Sequence, residues 1–196
     1  IIILLIALIS GLIIPMVGIK IHDLFRYQIE YKDELEKLSI VPVLGEIPKT
    51  EVKGKVIIHE NSSDSFTELV RLLRTNLLFV LDSPDKKVIN VVSSISGEGK
   101  TIVTINLAKS LALLDKKVLI IGLDIRKPKL DEYLSLDNKT GISMFLSGHL
   151  NQDELIRPSG IHPNLFVITA GPEPPNPNEL LAKPLLDKLI LDLRKQ

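Results

Sequence analysis

Hydrophobic residues form one unbroken run at the start of the chain and are periodic or clustered elsewhere. Ile1 to Ile19 holds no charged residue and is interrupted only by Ser10, Gly11, Pro15 and Gly18. A span of ~30 Å of hydrocarbon needs about 20 apolar residues, so residues 1–19 are expected to form a transmembrane helix, entered partway. A secretory signal would carry a charged n-region and a small-residue cleavage site, and neither is present. The chain has no initiator Met and opens inside the apolar run, so it is expected to be a fragment of a longer protein. Lys20, His22, Arg26 and Lys32 follow, mixed with Asp23 and Glu30. That flank fits a cytoplasmic side under the positive-inside rule. Leu24, Phe25, Ile29, Leu35 and Leu38 suggest a juxtamembrane helix over 21–38 with a solvated charged face. Pro42 and Pro48 in VPVLGEIP then start a linker, so residues 20–60 are expected to be juxtamembrane helix and linker.

From there the pattern changes. Phe66, Leu69, Val70, Leu73, Leu77, Val80 and Leu81 recur at three- and four-residue steps and predict a helix over 62–81. Ser65 and Glu68 have the spacing of a capping box. Glu68, Arg71 and Arg74 fall within about 120° of arc on that helix. The spacing alone reads as a solvated face with one ion pair, or as a stripe whose guanidinium forks meet carboxylates of another subunit. Val88 to Ser94, rich in β-branched residues, predicts a buried parallel strand. A helical run from Ile102 to Leu114 follows, then a second strand over Val118–Leu123 and a third at LFVITAG, Leu165 to Gly171. A Pro-rich loop, GPEPPNPNELL, feeds a helix, and another follows Pro184. Strands alternating with helices predict a parallel, doubly wound sheet flanked by helices, here an α/β unit over residues 61–196.

Composition narrows the chemistry. Twenty-four basic and 24 acidic residues cancel, which argues against a non-specific nucleic-acid binder. The absence of Cys excludes a disulfide scaffold, a Cys-ligated zinc site and a thiol nucleophile. His22, His59, His149 and His162 show no ligand spacing.

The candidate chemistry lies in ISGEGKT, between the expected strand and helix. Strand, Gly-rich turn, Lys-Thr and helix are the setting of a phosphate-binding loop. Gly97 and Gly99 lack a Cβ, so backbone N–H groups are free to curl around phosphate oxygens. The helix N-terminus adds partial positive charge. Lys100 supplies a charge for the β- and γ-phosphates, and the Thr101 hydroxyl is a hard ligand for Mg²⁺. Ser96, Gly97, Glu98, Gly99, Lys100, Thr101 and Ile102 are therefore the expected nucleotide contacts. The general pattern has Gly where Ser94 stands. Asp124, just past the second strand, lies at the carboxyl end where open α/β sheets bind ligands. It is placed to face the metal, or to cap the turn near Pro128, and Arg126 to face phosphate or a neighbouring subunit.

These segments together resemble the bacterial tyrosine kinase (BY-kinase) family, of the membrane-integrated type serving capsule or exopolysaccharide export. The apolar start and LGEIP are similar to the last transmembrane helix and juxtamembrane region of a polysaccharide co-polymerase. Glu68, Arg71 and Arg74 match the E-x-x-R-x-x-R motif, SSISGEGKT the Walker A loop, IIGLDIRKP the Walker A′ motif, and AGPEPPNPNELL the segment after it. The resemblance implies an ATP- and Mg²⁺-dependent protein-tyrosine kinase at the bacterial inner membrane with its catalytic domain in the cytoplasm. It implies self-association through Glu68, Arg71 and Arg74, the polysaccharide export machinery as partner, and Lys100, Asp124 and Arg126 as catalytic residues. Two departures stand out. The first Asp of D-x-D-x-R is Gly122, and neither the Walker B strand nor the C-terminal tyrosine cluster is present; Tyr27, Tyr31 and Tyr133 are scattered. One rival is a MinD/ParA-like ATPase switch, whose signature Lys is Ile95 here. The other is a nucleotide-binding scaffold that phosphorylates nothing.

Overall fold

The computed structural model describes residues 2–25, 32–48, 58–60, 62–83 and 87–195, with backbone alone at 5–7, 10 and 22–25. The centre of the expected juxtamembrane helix (26–31, with Tyr27 and Tyr31) and the end of the linker (49–57) lie outside the described residues. The chain divides into two compact units, Ile1–Val43 and Leu44–Gln196.

The first unit contains α1 (Ile2–Phe25), a helix of 24 residues with Pro15 inside it. At about 1.5 Å per residue it is some 36 Å long. Ile3, Leu4, Leu8, Leu12 and Ile14 are all exposed on it. Among the described residues taken alone, with the gaps at 5–7 and 10, no helix is long and apolar enough to cross a membrane. The expected span therefore rests on the sequence. The short α2 (Lys32–Leu38) buries nothing and carries a Lys32–Glu36 ion pair of 3.1 Å.

The second unit begins at Leu44. The Asn76 amide donates to Leu44 O at 2.7 Å, and Ile47 packs against Ile58, Phe66 and Val70. Its elements are α3 (Ser65–Val80), α4 (Lys100–Ala112), β1 (Val118–Ile121), α5 (Leu130–Leu134), α6 (Ile142–Leu146), β2 (Arg157–Pro158), β3 (Leu165–Ile168), α7 (Pro177–Leu181) and α8 (Pro184–Arg194). β1 runs parallel to β3, with Val118 opposite Leu165 and Ile121 opposite Ile168. The two-residue β2 pairs antiparallel on the other edge of β3, so the sheet, in the order β1-β3-β2, is mixed rather than all parallel as expected, because β2 reaches β3 through a short turn and not through a crossover helix.

Successive strand side chains point to opposite faces, and two cores result. Leu165 and Val167 join Ile105 and Ala112 of α4 and Leu130 and Leu134 of α5. Ile168 joins Ile142 and Leu146 of α6 and Leu186 and Leu189 of α8. Helices thus cover both faces, as the alternation of strands and helices requires.

Two local expectations are corrected. Residues 88–94 do not form a strand, and Val88, Ile89 and Val92 are exposed, Val92 at 77%. A parallel strand exists only through its ladder. Among the described residues, the sheet consists of β1, β3 and β2, and no strand pairs with Val88–Val92. Their β-branched side chains have no sheet to lie in.

The cap of α3 is Asp64 rather than Ser65. The Asp64 carboxylate accepts from Thr67 N at 3.0 Å, from Thr67 Oγ1 at 2.6 Å and from Ser62 Oγ, while Glu68 turns toward Arg71. The Ser62 and Thr67 hydroxyls and the Thr67 amide hold the Asp64 carboxyl far below its usual value of 3.8. A depressed carboxyl stabilises the fold above its unfolded pKa, and that contribution is lost as pH falls through the folded one. Acid titration followed by circular dichroism is therefore expected to show a shallower loss of stability below about pH 4 in Asp64→Asn than in wild type. Parallel curves would remove this role.

Candidate functional site

The Gly-rich turn forms although its strand does not. Gly97 and Gly99 have φ of +96° and +93°, the left-handed region that side chains with a Cβ rarely enter. Gly99 is the N-cap of α4, and the first helical bond runs from Val103 N to Gly99 O at 2.9 Å. The amides of Lys100, Thr101 and Ile102 thus precede the helical ladder, where a helix start presents donors to an anion. Glu98, between the two glycines, folds back so that its Oε2 accepts from Ser94 N at 2.8 Å and Ile95 N at 3.2 Å.

β1 delivers the opposing charge. Asp124 Oδ2 lies 3.2 Å from Lys100 Nζ, with the side chains 46% and 34% exposed. Its other oxygen accepts from Lys127 N at 3.2 Å. Asp124 thus closes the turn before Pro128, one of its two expected roles, and also pairs with the loop lysine. Arg126 is exposed and lines an open cavity of about 680 Å³ with Glu173, Pro174, Pro175, Pro177 and Asn178 of the Pro-rich loop. Gly122 sits where the resemblance expects an acid. A Cβ there would stand 3.3 Å from Ala170 N and from Leu130 Cδ2, so neighbouring atoms have closed around the missing side chain.

Among the described residues no cluster of three or more His, Cys, Asp or Glu offers a cage for a metal. Thr101 and Asp124 carry hard oxygens of the type that suits an ion taking the rest of its shell from phosphates and water, as Mg²⁺ does, and the Lys100–Asp124 pair brings Asp124 to the residue before Thr101. The open space around Gly97, where a Cβ would meet nothing within 4 Å, suits a ligand's approach to the backbone.

The stripe on α3 is engaged within the subunit. Arg71 binds Glu68 at 2.6 Å and Glu60 O at 2.9 Å. Arg74 reaches across to α4, donating to Ser110 O at 2.9 Å and Ser110 Oγ at 3.1 Å. Partial burial, with Arg71 nearby, pushes its guanidinium pKa down, and its Nε is buried without a partner. Next along α4, Asn106 is fully buried; its Oδ1 accepts from Ile58 N at 3.1 Å and its Nδ2 donates to Ile102 O. Arg74→Ala is therefore expected to lower the unfolding free energy by about 1–3 kcal/mol, read from the urea midpoint. Arg71→Ala, on the more open pair, should cost less than about 1 kcal/mol. Equal midpoints for the two variants would refute this division of roles.

No spacing in the sequence announces the cross-links at the start of the Pro-rich loop. Asn138 exchanges hydrogen bonds with Gly171 at 2.8 and 2.9 Å, Thr169 Oγ1 donates to Thr140 O, and Ser143 Oγ to Pro172 O. Arg157 ties Asp137 to Thr169. Together they fasten the residues after β3, and so the start of the Pro-rich loop. The only signal was an Asn and a Gly between two apolar segments.

An α/β unit with a Gly-rich loop opening a helix, a lysine at its head and an aspartate after the next strand defines a domain of the phosphate-loop class. No family model matches the chain. It is 32% identical over 201 residues to the tyrosine-protein kinase wzc of Salmonella typhi, covering 94% of this chain and 28% of that protein. The chain spans about a quarter of the length of the curated relatives it matches, 25% and 28% for two of them. Among solved structures, the chimerical protein CapA2B2 is 31% identical with a TM-score of 0.68, covering 83% of this chain and 71% of that one. The kinase domain of the Escherichia coli tyrosine kinase ETK is 29% identical with a TM-score of 0.76, covering 86% and 70%. The chain belongs to the bacterial tyrosine kinase (BY-kinase) family.

Proposed function

We propose that the second unit is the nucleotide-binding part of an ATP-dependent protein-tyrosine kinase acting in capsular or exopolysaccharide polymerisation and export. The observation that carries this reading is the meeting of Lys100 and Asp124 over the Gly97–Gly99 turn at 3.2 Å. Family membership supports it.

Phosphoryl transfer depends mainly on positioning and on neutralising charge. Lys100, the amides of Gly97 to Ile102 and the start of α4 would hold the phosphates of ATP. Thr101 and Asp124 would hold Mg²⁺, which when bound neutralises charge on the phosphoryl group. Arg126, on the same carboxyl edge, supplies a cation beside the cavity. With Gly122 in place of an acid, Asp124 is the one carboxylate of the D-x-D-x-R segment left to take the tyrosine proton.

The reading extends to the first unit. Ile2–Ile19 within α1 carries no charge, and it is proposed as a transmembrane helix of the bacterial inner membrane, with the kinase unit in the cytoplasm. Glu68, Arg71 and Arg74 are proposed to join subunits, with Arg74 also committed inside its own.

The test is to incubate the intact protein with Mg²⁺ and ATP and to measure phosphotyrosine and released phosphate together. Phosphotyrosine in excess of free phosphate is expected. Phosphate release alone would replace the kinase with an ATPase switch. Nucleotide binding with neither product would leave a scaffold.

A further inference from the structure

The Glu98 side chain is unused by the mechanism above, and its geometry is unusual. A single oxygen, Oε2, accepts from two successive backbone amides, those of Ser94 and Ile95, at 2.8 and 3.2 Å. Two consecutive N–H groups converging on one anion form a nest, a concavity that ordinarily takes a phosphate or sulfate oxygen. Here the chain supplies the anion itself. The left-handed glycines on either side, Gly97 and Gly99, reverse the backbone so that the residue between them faces the loop's own beginning.

The nest lies in the limb that lacks a ladder. Residues 88–94 form no strand, so the sheet does not fix the approach to the turn. The hydrogen bonds from Glu98 close a ring from position 94 to position 98. Bonds to an ionised acceptor are stronger than neutral ones, and ordering a loop before its ligand arrives lowers the entropy that binding must overcome.

We propose that Glu98 is a positioning residue whose carboxylate fastens the first limb of the loop through the Ser94 and Ile95 amides and so holds the later amides in shape for phosphate. This rests on the reading of the loop as a nucleotide site. The opposite expectation is also physical, because a carboxylate this close to a polyphosphate should repel it.

The two are separated by the equilibrium affinity of the intact protein for Mg²⁺·ADP, measured with a fluorescent ADP analogue. Glu98→Ala is expected to bind about tenfold more weakly than wild type. Glu98→Gln, which keeps an acceptor oxygen but no charge, is expected to recover most of that loss. Without nucleotide, hydrogen exchange over residues 92–96 is expected to be faster in Glu98→Ala than in wild type, with the melting temperature unchanged. Tighter or equal binding by Glu98→Ala would overturn the proposal and leave the carboxylate as a repulsive charge. A Glu98→Gln variant as weak as Glu98→Ala, or unchanged exchange over 92–96, would overturn it too. Absence of binding by wild type would instead remove the nucleotide reading on which it rests.

Discussion

Lys100→Met is expected to abolish phosphotyrosine formation by the intact protein, a loss of at least about a hundredfold, as when a preorganised charge is removed from a transfer site. Lys100 opens α4 directly after Gly99, so its direction is set by the left-handed cap and the first helical turn. Its Nζ lies 3.2 Å from Asp124, on the side of the sheet edge where ligands of α/β folds sit. Methionine matches lysine in helix propensity and nearly in length, so the helix should persist while the ammonium is gone. Asp124 is close to half exposed, so water replaces its lost partner and the fold should be little affected. The signal is read with an anti-phosphotyrosine antibody after incubation with Mg²⁺ and ATP. A signal equal to wild type would end the kinase reading, because Lys100 is the cation that the loop itself places at the head of α4 beside Asp124.

The largest expected effect on stability is at Gly141. A Cβ there would lie 2.3 Å from Gly171 N, 2.4 Å from Thr169 O and 2.7 Å from Ala170 C, all backbone atoms. The cause is space alone, since φ at Gly141 is 169°, an extended value open to any residue. Backbone cannot swing aside as a side-chain end would. The bonds from Ile142 N to Thr169 O and Ser143 N to Ala170 O hold the two segments together at 2.9 Å each. Gly141→Ala is expected to cost about 3 kcal/mol or more, the upper part of the overpacking range. That lowers the melting temperature by about 10 °C for a chain of this size. Gly148→Ala serves as control. Gly148 has φ +81° but nothing within 4 Å of its missing Cβ, so only the backbone penalty of about 1–2 kcal/mol applies. Similar melting temperatures for the two variants would show that β3 and the turn before α6 separate more easily than their hydrogen bonds indicate.

Features decided locally were legible in the sequence. The apolar period of α3 needs only its own turn geometry, and the strands expected over Val118–Leu123 and Leu165–Gly171 form over the shorter Val118–Ile121 and Leu165–Ile168. The GEGKT turn is also present, because two left-handed glycines and a helix start define it locally. Features decided by distant partners were not legible. Val88–Ser94 has the composition of a buried strand, but a strand is a property of its neighbour, and no described strand stands beside it. Arg74 meets Ser110 across 36 positions, and Asn138 meets Gly171 across 33. No spacing rule connects such pairs. The cap of α3 differs for another reason. Ser65 has the capping-box spacing to Glu68, but Asp64, one residue earlier, accepts from the Thr67 amide with a charged oxygen and so starts the helix at Ser65 itself.

The Lys100–Asp124 pair has a consequence for how the resting site meets its ligands. Each charge is muted by the other, so an anion seeking the ammonium competes with a carboxylate, and a cation seeking the carboxylate competes with an ammonium. In the proposed function, each ligand would take away the other's competitor. By thermodynamic reciprocity the two uptakes would then favour one another equally, and the loop would discriminate against a polyphosphate arriving without its counter-ion before any chemistry begins.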